Sequence, residues 1–301
     1  MSRAITFSEY GAPEVLRLTE VTTPEPGPGQ VRIRVRAASV NPLDMKIRSG
    51  LMASAVPARF PVTPGLDAAG VVDAVGEGAD AAVGDEVLGS AVGGSYSEYA
   101  LLDRPVAKPE ALSWEAAASL VTVGRTAFRV LGQLGVQAGQ TLLVHGAGGS
   151  VGTVAVQLAA ARGITVIGTA GEHDIERITA LGATAIPYGD GWAERVRAAA
   201  PQGVDFVFDA SGAGVLADSV TLTGDSSHVI TIADMSAAQH GVRFSAGSTD
   251  QAEESLPELV QLAAAGGLTL PIWRTYPLAE AAQAHSDLEA HRNRGKAVLL
   301  P

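Results

Sequence analysis

Apolar and basic residues alternate one by one through Val31-Arg32-Ile33-Arg34-Val35-Arg36-Ala37, the period-2 pattern of a strand with one wet face. Ala68 to Val75 and Ser95 to Leu101 read as further strands. Turn clusters separate them: Pro24-Glu25-Pro26-Gly27-Pro28-Gly29, Gly76-Glu77-Gly78 and Gly93-Gly94. Short strands with frequent Gly and Pro punctuation predict a small barrel-like domain over the first ~110 residues.

The pattern changes after Lys108-Pro109. Ser113 is the expected N-cap of a helix running towards Leu131, with Glu115 in its first turn. Strands and helices then alternate. Strands are expected at 141–145, 165–169, 185–187, 204–209 and 228–232, and helices at 150–162, 174–181, 191–200, near 214–220 and at 251–265. Such alternation predicts a parallel sheet covered by helices on both faces. The tail reads as a helix over 278–288 and a strand over 297–300.

Composition narrows the function. At about 150 residues per domain, 301 residues suggest roughly two domains. A hydrophobic share of 47% and a charged share of 18% suit a compact soluble globule and argue against disorder. Lys and Arg number 21 against 32 Asp and Glu, a net charge of −11, so no chain-wide field attracts nucleic acid or an anionic membrane. The absence of cysteine rules out a disulfide framework, a Cys nucleophile, a thiolate metal site and an Fe–S site. The first residues lack the apolar core of a signal peptide, and no run of ~18 uncharged apolar residues exists to span a bilayer. The expectation is a cytoplasmic protein.

The strongest local signal is Thr141-Leu142-Leu143-Val144-His145-Gly146-Ala147-Gly148-Gly149-Ser150-Val151-Gly152. An apolar strand runs into a glycine turn, Gly146-x-x-Gly149-x-x-Gly152, that opens a helix. Glycine is needed where the turn is tight and where backbone must approach a pyrophosphate. The helix N-terminus, at Ser150, Val151 and Gly152, offers free N–H groups to the phosphates. A glycine triplet by itself is also an ordinary strand-to-helix turn; its place in a longer βαβ series favours dinucleotide binding. The second strand ends in Ile167-Gly168-Thr169-Ala170-Gly171, where an NAD enzyme usually places Asp or Glu on the ribose. Small neutral residues there favour NADPH over NADH. Thr169, His173 and Arg177 are the candidate phosphate contacts, with a solvated helix face as the competing reading for the last two.

These residues are joined by others in a familiar order: Asn41-Pro42-Leu43-Asp44-Met45-Lys46-Ile47-Arg48-Ser49-Gly50, Pro64-Gly65-Leu66-Asp67-Ala68-Ala69-Gly70, Val83-Gly84-Asp85-Glu86-Val87, Leu181-Gly182-Ala183 and Arg294-Gly295-Lys296-Ala297-Val298-Leu299. Across nearly its whole length the chain resembles the medium-chain dehydrogenase/reductase superfamily, in its zinc-free, zeta-crystallin-like quinone oxidoreductase branch. The resemblance implies an α/β fold: a Rossmann doubly wound parallel sheet (residues 113–266) plus a β-rich GroES-like domain (residues 1–112 and 267–301). It also implies a homodimer. The zinc enzymes of the superfamily carry Cys where this chain has Asn41 and Gly-His-Glu where it has Gly65-Leu66-Asp67. The six histidines (145, 173, 228, 240, 285 and 291) form no ligand-like grouping. No metal is expected.

The implied chemistry is hydride transfer from the nicotinamide to a quinone or an enone, with hydrogen-bond donors stabilising the charge that builds on the carbonyl oxygen. Asn41, Asp44 and Lys46 are the candidate catalytic residues. Asn41 is expected to face nicotinamide and substrate, Asp44 to order the loop or hold Lys46, and Lys46 to supply an ammonium donor. Their bland alternatives are an Asn-Pro turn and a solvated lysine. Alignment with the family adds Thr126, Ser211, Gly212, Ile232, Ala233 and Lys296 as cofactor-binding candidates, Lys296 being otherwise a surface residue. Tyr96, Trp114 and Trp192 read as packing. A small-molecule quinone or enone is the expected partner. The alternatives are a non-catalytic NADPH-binding sensor or crystallin-like protein and, disfavoured by charge, a nucleic-acid accessory role.

Overall fold

The computed structural model describes all 301 residues. They divide into two units: Met1–Thr122 with Pro257–Ala265 and Leu270–Pro301, and Val123–Leu256 with Gly266–Thr269.

The first unit is built on a seven-stranded sheet. Its path runs Ile272–Pro277, Lys296–Leu300, Val31–Ser39, Asp67–Val75, Glu86–Val92, Tyr99–Leu102, with Val106–Ala107 beside Glu86–Val92. Tyr99–Leu102 also pairs back onto Val31–Ser39, which closes four strands into a barrel. The alternation in Val31–Ser39 is the reason: Val31, Ile33 and Val35 are buried while Arg34 and Arg36 face water. Ile33, Leu102, Tyr276 and Leu299 meet in the core beneath. The tail contributes through Val298 opposite Ser39 and Leu299 opposite Ala38. A separate hairpin-like pair, Ser2–Thr6 with Arg17–Val21, packs Ile5 and Phe7 into the same core.

The second unit is a six-stranded parallel sheet in the order Ala183–Pro187, Thr165–Ala170, Thr141–His145, Phe206–Asp209, Val229–Thr231, Arg243–Phe244. In chain order this is 3-2-1-4-5-6, the doubly wound Rossmann arrangement, whose ligands bind where the strand order reverses. That point lies at the ends of Thr141–His145 and Phe206–Asp209. Leu143, Ile167, Val207 and Val229 form the core, closed by Val196 of helix Trp192–Ala199.

Several elements differ from the sequence expectation for local reasons. The helix expected at 251–265 is two, Asp250–Glu254 and Leu256–Ala264. Pro257 lacks an N–H and disfavours helical geometry before it. The strand expected from Ser95 begins at Tyr99, because Ser95-Tyr96-Ser97 is taken up in turn contacts to Pro64 and a single bridge to Ala4. The 278–288 helix opens with a 3₁₀ turn, Leu278–Glu280, before Ala281–Glu289. Asn41 to Gly50 carries a short helix, Pro42–Arg48. No helix is long and apolar enough to cross a membrane.

Candidate functional site

The glycine turn stands at the switch point of the second unit. Thr141–His145 is buried throughout and delivers the chain into Gly146, which has a φ of +74°. A side chain on Gly152 would bring its Cβ within 2.2 Å of the Gly146 carbonyl oxygen, so the helix Ser150–Ala161 can pack this close only with glycine there. Gly149 is the helix N-cap. The N–H groups of Ser150, Val151 and Gly152 have no backbone acceptor, whereas that of Thr153 bonds Gly149. Bare backbone, free N–H groups and the positive end of a helix form a cradle that fits a diphosphate.

The turn is braced on both sides. Asp209 is fully buried; its Oδ1 accepts from the Ser211 and Gly212 N–H groups and the Ser211 hydroxyl, and its Oδ2 accepts from the Thr231 hydroxyl. Ser211 and Gly212 are thereby set in an exposed loop after the fourth strand of the chain-order series. Ile232 donates to the Asp209 carbonyl and Ala233 to the Thr231 hydroxyl, which fixes the neighbouring strand end. Thr126 is half-buried on helix Trp114–Leu134.

The three candidate phosphate contacts are placed differently from one another. Thr169 is buried, and its hydroxyl lies 3.0 Å from His145 Nδ1. The Ser219 hydroxyl donates to the Val215 carbonyl and so accepts from His145 Nε2. His145 Nδ1 is then an acceptor, and the Thr169 hydroxyl donates to it. Arg177 is also engaged: its guanidinium donates to Asp174 (2.6 Å), to the Gly148 carbonyl (2.9 Å) and to Thr153 (3.1 Å). His173 keeps a half-exposed ring beside Asp174. The Asp174 carboxylate itself packs on the glycine turn, 2.5 Å from where a Gly148 Cβ would lie.

The first unit holds the other cluster. Asn41 caps helix Pro42–Arg48 and is buried. Its Nδ2 donates to Asp67 (2.9 Å) and weakly to Ser39 (3.4 Å), and its Oδ1 accepts from Lys296 Nζ (2.7 Å). Every polar atom of this amide is therefore bonded within the chain, rather than left open to a substrate. Asp67 also accepts from the Ser39 and Thr122 hydroxyls. Lys296 is not a surface residue: its ammonium is buried and also donates to the Val40 carbonyl. Burial lowers its pKa, against the pull of Asp67 and Asp44.

Asp44 is buried, with Oδ2 accepting from the Asn41 N–H (2.8 Å) and the Tyr96 hydroxyl (3.0 Å). Its Oδ1 has no hydrogen-bond partner. Burial pushes the carboxyl up to about 7, opposed by the Asn41 N–H and the Tyr96 hydroxyl and reinforced by Asp67. Asp44 does not hold Lys46, which is half-buried and makes no ion pair. Asp67, Tyr96 and His285 carry no functional signal in the local sequence comparable to the glycine turn. His285 did leave a signal: it shares the buried stripe of helix Ala281–Glu289 with Ala281, Ala284 and Leu288, a polar residue at an apolar spacing. Nowhere do three or more His, Cys, Asp or Glu side chains gather as a metal-binding group.

Comparison with known proteins agrees with both halves. Residues 27–110 match the alcohol dehydrogenase GroES-like domain family, and residues 181–299 match the zinc-binding dehydrogenase family. A quinone oxidoreductase of Lama guanicoe is 35% identical, covering 100% of this chain and 98% of the relative. A solved mycobacterial structure, Rv1454c complexed with NADPH, is 30% identical over 100% of both chains, with a TM-score of 0.88. A solved NAD-dependent alcohol dehydrogenase is 32% identical over 99% of both chains, with a TM-score of 0.86. A Rossmann sheet with a diphosphate cradle, joined in one chain to a GroES-like barrel, defines a dinucleotide-dependent oxidoreductase. The chain belongs to the medium-chain dehydrogenase/reductase superfamily, in its zeta-crystallin-like quinone oxidoreductase branch.

Proposed function

We propose that this protein reduces quinones and α,β-unsaturated carbonyl compounds (enones and alkenals) with NADPH, without zinc, as a homodimer. The observation that carries the reading is the Asn41 cluster. At the position where zinc enzymes of the superfamily carry a cysteine ligand, an amide is locked between the Lys296 ammonium and the Asp67 carboxylate. Such a group offers no thiolate or imidazole to zinc.

Gly146, Gly149, Ser150, Val151 and Gly152 are assigned to the diphosphate. Thr126, Ser211, Gly212, Ile232, Ala233 and Lys296 are assigned to the rest of the cofactor. The bound nicotinamide supplies the hydride. The protein's own work is to stabilise the charge that develops on the substrate oxygen and to supply a proton. Lys46, with an ammonium free of any acid partner, is assigned the first task. Asp44 is assigned the second, its proton held at Oδ1, since Oδ2 already receives two donors. NADPH is preferred on the absence of a carboxylate at Thr169-Ala170-Gly171 and on the half-exposed His173. The homodimer reading is supported by Arg243–Phe244, an edge strand paired on one side only.

A screen of NADPH and NADH against quinones, enones and alkenals tests the reading. NADPH oxidation with at least one class is expected; no oxidation of either cofactor by any of them overturns it. A second reading, cofactor binding without turnover, is favoured by the fully bonded Asn41 amide. Under it Lys46→Met leaves cofactor binding, the whole function, intact, whereas under the first it lowers turnover well beyond its effect on cofactor affinity. Light scattering in solution tests the dimer.

A further inference from the structure

Behind Asp44 lies a line of buried polar side chains from three parts of the chain. Tyr96 Oη is 3.0 Å from Asp44 Oδ2 and 3.1 Å from His285 Nε2. His285 Nδ1 is 3.5 Å from Arg48 Nη1, and the other end of that guanidinium is bound by Glu289. Tyr96, His285 and Arg48 are all buried.

The direction of each bond follows from the chemistry. Arginine can only donate, so His285 Nδ1 accepts. A neutral imidazole then carries its hydrogen on Nε2, which donates to the tyrosine oxygen. The ring is neutral because burial, reinforced by the Arg48 charge, holds its pKa down to about 3. Tyr96 has one hydrogen and spends it on Asp44. All the donors therefore point the same way, towards the carboxylate. The Tyr96 ring packs in the core, and packing alone requires one partner for its hydroxyl, not a succession of aligned donors behind it.

We infer that Tyr96 and His285 are positioning residues that tune Asp44: Arg48 fixes the histidine tautomer, the histidine fixes the phenol, and the phenol decides how readily Asp44 holds a proton at Oδ1. The role deepens the reductase reading, because Asp44 is there the proton source. The other charged groups around Asp44 are Asp67 on strand Asp67–Val75 and Lys296 on strand Lys296–Leu300, with Glu289 reaching only Arg48. None of them is touched by removing the Tyr96 hydroxyl.

The test is an infrared pH titration of the intact protein without cofactor or substrate, following the protonated carboxyl band. The band that disappears in Asp44→Asn identifies the residue among 32 Asp and Glu side chains. Loss of a hydrogen bond that favours the ionised form raises the midpoint, so Tyr96→Phe is expected to move it up by about one pH unit, tenfold in proton affinity. His285→Ala, which frees the phenol from its partner, is expected to move it in the same direction by less. Biosynthetic 3-fluorotyrosine, a stronger donor, is expected to move it down and covers the case in which Tyr96→Phe does not fold. A midpoint unmoved by both Tyr96→Phe and fluorotyrosine overturns the inference. Because no substrate is needed, that failure is distinct from a failure to reduce quinones. With turnover in hand, the pH profile of kcat is expected to move with the infrared midpoint, and a fixed profile removes Asp44 as the proton source.

Discussion

Lys296 Nζ donates to Asn41 Oδ1 at 2.7 Å, across 255 positions of sequence, and both side chains are buried. The pair ties the last strand of the chain to the cap of helix Pro42–Arg48. Removing the ammonium leaves the Asn41 and Val40 oxygens without their donor and leaves Asp67 and Asp44 without their nearest cation. Hydrogen bonds to a charged group are worth about 1.5–3 kcal/mol each in such settings. Lys296→Met, close in volume, is expected to lose about 2–4 kcal/mol in urea unfolding. A loss within about 0.5 kcal/mol, the range of ordinary surface changes, would show that the ammonium matters little to the fold.

Gly152 sits where any side chain strikes the Gly146 carbonyl, since its Cβ would fall 2.2 Å from that oxygen. Gly152→Ala must push the helix away from the turn or distort the cradle. Overpacking of this kind costs about 1–3 kcal/mol, and the free N–H groups move with the helix. Dinucleotide affinity is expected to fall at least about tenfold by fluorescence titration, the equivalent of about 1.4 kcal/mol. Unchanged affinity would remove the turn from the cofactor site.

The difference between these two features is also a difference in how readable they are. The glycine turn is a contiguous run, so spacing alone exposes it, and the strand and helix around it follow from local periodicity. The alternation from Val31 to Ala37 predicts its own buried face for the same reason. The Asn41 cluster is assembled from residues 39, 41, 67, 122 and 296, and the Asp44 line from 44, 48, 96 and 285. No window of sequence contains either. Family alignment supplied Asn41, Asp44 and Lys296 one by one, but only the fold shows that the Asn41 amide is already fully bonded, and that Tyr96 packs its ring in the core while its hydroxyl donates to a carboxylate.

Asp174 touches the turn at Gly148 and holds both Arg177 and His173. A carboxylate so placed repels a 2′-phosphate and engages the Arg177 guanidinium that would attract one. Asp174→Asn is expected to favour NADPH over NADH by about three- to tenfold relative to the unaltered protein, or about 0.7–1.4 kcal/mol. Parallel titrations with both cofactors, at low and high salt, measure it. A shift toward NADH would place the 2′-position elsewhere.

Stability against pH follows from three buried groups. Burial holds His145 down to about 4, against Asp209, and His285 down to about 3, so both are neutral in the fold, while unfolded histidine takes a proton near 6.5. Burial pushes Asp44 the other way, up to about 7 from 3.8. At pH 5 the unfolded chain binds two of these protons, one on each histidine, and the folded chain binds one, on Asp44. The unfolded state therefore holds one more, and stability rises with pH by about 1.4 kcal/mol per pH unit from these groups. At pH 7 the two unfolded histidines together still hold about half a proton, matching the half proton on folded Asp44, so the slope falls to about zero there. Stability therefore rises up to about pH 7 and is level above it. Asp44→Asn removes the opposing group. Its slope at pH 5 is expected to double to about 2.7 kcal/mol per pH unit, and its stability to go on rising at pH 7, by about 0.7 kcal/mol per pH unit. Urea unfolding between pH 5 and 8 measures both, and equal slopes in the two proteins would show that Asp44 is already ionised at pH 5.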